Sequence, residues 1–175
     1  MKVAAKITIG VCALVVVGLV ALITPIVIAV LPHSVQVALG GTIDTVPGTV
    51  DELFAATGLE GAGQYGDAKV THAEVDEEYV LAATIWPWRL PPGWKFPQSR
   101  GAADTPGHHW NGMGVKAAFS IWAAASLDAV KAGDLTPDAA NDLLDEVQAA
   151  YQTLLEEGVL SDRGFIADSV TPLRA

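Results

Sequence analysis

Residues 111–159 read NGMGVKAAFSIWAAASLDAVKAGDLTPDAANDLLDEVQAAYQTLLEEGV. This stretch sets the architecture. Asn111 is a candidate N-cap for a helix running to about Ala132. Val115, Phe119, Trp122, Ser126 and Val130 recur every three or four residues and define one face. Gly133 suits the left-handed position that ends a helix. Thr136 followed by Pro137 is a start signal, because proline is tolerated at the first helical position. Asp138 then favours the positive end of the helix. Ala140, Leu143, Leu144, Val147, Tyr151, Leu154 and Leu155 form an apolar stripe. Gly158 closes it, and Val159 is placed for the hydrophobic contact that follows such a cap. Only four residues separate Ala132 from Pro137, so the spacing predicts an antiparallel helical hairpin. Within residues 112–170, segment 162–170 adds one more turn.

Immediately upstream, residues 86–111 contain WPWRLPPGWKFP and then TPGHHWN. Five of the ten prolines and four of the five tryptophans fall here. Proline fixes φ and removes a donor, which predicts an extended connector. Disordered linkers are poor in tryptophan, so the connector is expected to be packed down. Three uses of its rings compete. They cover the hairpin and fill a small core. Alternatively Trp86, Trp88, Arg89, Trp94 and Trp110 form a recognition surface for a protein or glycan. In the third reading Trp86, Trp88 and Trp94 sit at the level of lipid headgroups.

Residues 33–85 read as a mixed α/β segment. Residues 34–40 (SVQVALG) alternate in the manner of a strand. Residues 49–57 (TVDELFAAT) place Val50, Leu53 and Phe54 on one face and acids early, which predicts a short helix. The glycines of residues 58–66 predict a loop. Residues 69–75 and 78–85 are rich enough in β-formers to be read as strands joined at Asp76 and Glu77. For residues 79–85 a buried helical turn is the alternative.

Further upstream, residues 7–31 (ITIGVCALVVVGLVALITPIVIAVL) carry no charge over 25 positions. At a rise of 1.5 Å per residue this helix would reach about 37 Å, against a hydrocarbon core of about 30 Å. Lys2 and Lys6 precede the run, and the first charge after it is Asp44. The bias of basic residues to the cytoplasmic side puts residues 1–6 inside and the remainder outside. A cleaved signal peptide is the rival, but its apolar core is usually only about 7–15 residues long.

The same cut explains the composition. The chain has 175 residues, 51% of them hydrophobic, yet a net charge of −10. All 20 acids follow residue 31, against 8 basic residues there. Nucleic acid is excluded as a partner, since no basic stripe offsets the repulsion of phosphates. The single cysteine, Cys12, lies in the apolar run, which removes disulfides and thiolate zinc sites from the rest.

No catalytic constellation is evident. His72, His108 and His109, with Asp67, Glu74 and Asp76, are what a metal would use, but adjacent histidines project apart and no HExxH pattern exists. Asp134, Thr136, Asp138, Asp142 and Asp145 match positions of a calcium loop, but Ala139 stands where its turn glycine belongs. The acids of residues 138–157 read instead as a solvated face, or as a dock for a basic partner. No serine sits in a GxSxG elbow. The expectation is one transmembrane helix plus a small α+β, mainly α, extracytoplasmic domain with a helical hairpin. It would serve as an interaction or accessory protein of the cell envelope, contacting lipid through residues 7–31 and an envelope protein outside, with no cofactor. A metal- or carboxylate-dependent envelope hydrolase and a structural spacer are the alternatives.

Overall fold

Two Thr-x-x-Glu sequences open the first two helices. Thr49 caps α1 (Val50–Thr57) and Thr71 caps α2 (His72–Thr84). In each, the threonine hydroxyl accepts the amide of the glutamate three residues on, and that glutamate carboxylate accepts the threonine amide. The return bonds are 2.7 Å to Glu52 and 2.6 Å to Glu74. Two of the free amides at each helix start are satisfied reciprocally in this way. The computed structural model describes residues 40–59, 69–101, 109–110, 112–161 and 164–174.

The predicted hairpin follows as α3 (Met113–Ala132) and α4 (Pro137–Glu156). Gly133 ends α3 at φ +76°, where a residue with a Cβ would be strained. Thr136 caps α4, with Pro137 at its first position. At the far end the amide of Gly158 donates to Leu155 and that of Val159 to Leu154, at 3.0 and 2.9 Å. Val159 and Leu154 are both buried, so the cap carries its hydrophobic contact. Phe119 and Tyr151 sit nearly equidistant from the connection, and their rings lie 6.1 Å apart. The helices therefore run back along each other. The chain ends in one π-helical turn (Ile166–Val170) and a 3-10 turn (Thr171–Leu173). Ring contacts of Phe165 with Phe119 and Tyr151 bring this tail onto the hairpin.

Strands contribute little. β1 (Thr42–Ile43) pairs with β3 (Phe96–Pro97), and β2 (Lys69–Val70) with β4 (His109–Trp110), both antiparallel. The described residues are mostly helical, with these short two-stranded clasps.

Two expectations are corrected. Residues 72–84 form helix α2, so of the strand read at 69–75 only Lys69–Val70 survives, and that read at 78–85 is gone. Val75, Tyr79, Ala82 and Ala83 are buried from this helix at helical spacing, and packing overrides the β preference of Tyr and Val. The N-cap of α3 is Gly112, at φ +94°, and it offers no side-chain bond. Asn111 lies outside the described residues. So do the apolar run at 7–31 and nearly all of the strand read at 34–40.

α3 is the central element, in contact with both α2 and α4. It is long and apolar enough to cross a membrane by length and composition. Its apolar residues already have partners, however: Val115, Ala118, Phe119, Trp122, Ala123 and Leu127 belong to the buried core. Where α2 crosses it, the approach is close. A Cβ at Gly114 would stand 2.5 Å from the Tyr79 backbone nitrogen and 2.7 Å from Glu78 Cβ. Only glycine fits there without movement of the backbone.

Candidate functional site: the tryptophan loop and its acidic groove

The loop after α2 is packed down, by rings and by two hydrogen bonds from the helices. Tyr79 Oη on α2 donates to the Pro97 carbonyl at 2.8 Å. Trp122 Nε1 on α3 donates to the Arg89 carbonyl at 2.8 Å. Burial pushes the Tyr79 phenol well above its ordinary range, so it stays a donor at every physiological pH. Pro97 lacks an amide, but here its carbonyl is what the fold uses.

Trp86 is fully buried. Its ring lies 4.8 Å from Trp88, 5.4 Å from Trp122 and 5.6 Å from Phe96 by centroid. Trp94 is half-buried with its ring 4.8 Å from Phe96. Tilted and edge-on pairs of this kind contribute roughly 0.5–1.5 kcal/mol each beyond the area they bury. Among the described residues, the buried Trp86 Nε1 and Ser126 Oγ find no hydrogen-bond partner, which is a cost to the interior.

Of the residues singled out from the sequence, Trp88 and Arg89 reach a surface feature. They line an open groove of about 420 Å³ with Asp142, Asp145, Glu146 and Ala149. The α4 residues follow helical spacing, so they form one stripe. Arg89 Nη1 lies 3.6 Å from Asp142 Oδ2, both side chains exposed. Arg174 reaches across to Asp145 at 2.7 Å and to Gln148 Oε1 at 3.0 Å. The groove thus has an aromatic wall, a carboxylate floor and two arginines at its acids. The sequence presented the tryptophan loop and the acids of α4 as separate features; the fold joins them.

Of the histidines, only the backbone of His109 and the whole of His72 are described. The clasp of β2 with β4 sets His109 opposite Val70, two positions from His72 at the exposed start of α2. His108 lies outside the described residues, and of Trp110 only the backbone is described. Among the described residues no group of three or more His, Cys, Asp or Glu side chains converges to hold a metal.

Glu78 carries a structural role that the sequence pattern did not announce. It is half-buried on α2, and its Oε1 accepts the Val115 amide at 3.4 Å. The amides of Gly112 and Gly114 face it as well. A carboxylate from one helix therefore caps the next, where Gly112 supplies no side chain. Burial nevertheless dominates and raises the Glu78 pKa above the ordinary glutamate value. Only the acid's position relative to Gly114 across the fold identifies it, and no local motif encodes that.

No family model, curated protein or solved structure matches this chain.

Proposed function

We propose that this chain is a single-pass envelope protein. Residues 7–31 hold it in the membrane, residues 1–6 face the cytoplasm and the folded domain lies outside. It acts there as an interaction or accessory subunit. The observation that carries this reading is the run of 25 uncharged residues, preceded by Lys2 and Lys6 and followed by a domain that holds all 20 acids. The groove supports the second half. It sets Trp88 beside Asp142, Asp145 and Glu146, an aromatic wall against carboxylates, which suits a partner offering lysine or arginine on an apolar stem. Arg89 and Arg174 already occupy two of these acids and mark how a partner's guanidinium would bind. Trp86 supports the wall from behind, its ring 4.8 Å from that of Trp88.

Alkaline extraction of native membranes tests the anchor. The protein is expected in the pellet, and release into the supernatant would overturn this half. Carbodiimide cross-linking in the same membranes tests the groove. Asp145 and Glu146 are expected to link to lysines of one reproducible neighbour, and Glu146→Lys should abolish the links. Absence of such links in the wild type would remove the interaction reading.

A further inference from the structure

The second half of α2 carries exposed apolar residues, and Val46, six residues after Gly40, is bonded to its end. Among the described residues, the exposed large hydrophobic side chains are Val46 at 70%, Val80 at 39% and Leu81 at 39%. Val46 is held at the end of α2 that carries Val80 and Leu81. The Val46 amide donates to the Thr84 carbonyl at 2.8 Å, and Thr45 Oγ1 donates to Ala83 at 2.8 Å. Thr84 stands one turn beyond Val80 and returns its hydroxyl to the Val80 carbonyl at 2.7 Å. The patch therefore has its local hydroxyls satisfied and presents methyl groups. Along α2 the exposed surface changes character. His72, Glu74, Asp76 and Glu77 occupy the first half, and Val80 and Leu81 the second.

The tether decides what this patch meets. Residues 32–39 separate the apolar run from Gly40. Fully extended, that connection spans at most about 30 Å. A domain of this size is about 35 Å across. The tether is shorter than the domain is wide, and the chain it delivers is hydrogen-bonded to the apolar end of α2 within a few residues. Tethering also raises effective concentration, so a patch too small to recruit a free protein suffices for a held one. We infer that the Val46, Val80 and Leu81 face seats on the headgroup layer of the bilayer that holds residues 7–31, with the acidic half of α2 turned away. The inference rests on the anchor proposed above. The acidic domain disfavours anionic headgroups, so the surface it takes is zwitterionic or neutral.

The test uses the full chain in phosphatidylcholine vesicles with Cys12→Ser, which clears the single native thiol. Single cysteines at Val46→Cys, Val80→Cys and Leu81→Cys, with Glu146→Cys as control, carry an environment-sensitive fluorophore. Lipids bearing a nitroxide at the headgroup end are expected to quench the three patch labels several-fold more than the control. The pair Val80→Asp and Leu81→Asp should abolish the quenching at Val46→Cys while flotation with vesicles persists. Equal quenching at all four positions in protein that floats would overturn the seating and leave the anchor standing. Protein that does not float would overturn both. Concentration-dependent cross-links between Leu81→Cys copies, without lipid quenching, would assign the patch to a second copy and overturn the seating as well.

Discussion

α2 and α4 both pack on α3, and they are held there by different means. α4 is strongly amphipathic, with Leu143, Leu144, Val147, Ala150, Tyr151 and Leu154 buried and acids outward. It is held by apolar area, which tolerates small adjustments. α2 has no such contrast between faces, since Val80 and Leu81 are exposed opposite the buried Tyr79 and Ala82. It is held by fit: the Gly114 crossing, the Tyr79 bond to Pro97 and the Glu78 carboxylate on the first amides of α3. A helix held by area shows itself in its periodicity. One held by fit shows itself only once its neighbour is placed.

The largest expected effect lies on the α2 side of α3. Trp122→Ala removes a fully buried ring that meets Trp86, Trp88 and Phe119, and it leaves the Arg89 carbonyl without its donor. It should cost about 3–5 kcal/mol in urea unfolding. A loss under about 1 kcal/mol would mean that the ring cluster does not hold the loop. Gly114→Ala comes next. At an ordinary helix interior this change stabilises by about 1 kcal/mol. Here the new Cβ meets the Tyr79 backbone, which should reverse the sign to a loss of about 1–3 kcal/mol or more. A stabilised variant in thermal melts would break the contrast between fit and area.

Glu78 sharpens the same contrast through pH. Burial raises its pKa in the folded chain above the ordinary value of 4.5, so the native state holds the proton more tightly than the unfolded one. The contribution of this group is therefore most favourable at low pH and declines as pH rises from 4.5 through the raised value. Melting temperatures of Glu78→Gln compared with wild type should show that slope removed. Glu74, one turn earlier, runs the other way. The Thr71 amide and hydroxyl lower its pKa, so its contribution is lost as pH falls, and Glu74→Gln should flatten the acid limb. The smallest effect belongs to α4. Asp142→Asn breaks an exposed 3.6 Å contact with Arg89 and should change stability by less than about 1 kcal/mol. A larger loss, measured by the same unfolding, would show the groove pair to be structural.

Much of this was readable in advance, and the reasons differ by element. The hairpin was legible because Gly133, Thr136, Pro137 and Gly158 punctuate two clean apolar stripes. Val50, Leu53 and Phe54 on one face, with acids early, marked α1. Thr71 and Glu74 carry the Thr-x-x-Glu signal that opens α2, but the strand reading followed the β-formers of residues 69–75 and 78–85 instead. Val80 and Leu81 blur the helical period there, because both faces of that half are apolar. The packed-down character of the tryptophan loop followed from its composition. The junction of Trp88 and Arg89 with Asp142, Asp145 and Glu146 did not, since more than fifty positions separate the partners and no local pattern brings them together. Glu78 was hidden for the same reason.

The two strand clasps carry a consequence for the order of assembly. Ile43 waits for Phe96 and Lys69 for Trp110, whereas Phe119 finds Tyr151 across one short turn. Loop-closure entropy makes the distant pairings slow and the hairpin fast. The part of the domain nearest the apolar run is synthesised first and clasped only after Phe96 has emerged. During that interval α1 and α2 depend on their threonine caps, and only α3 and α4, made later, supply the surface on which they close.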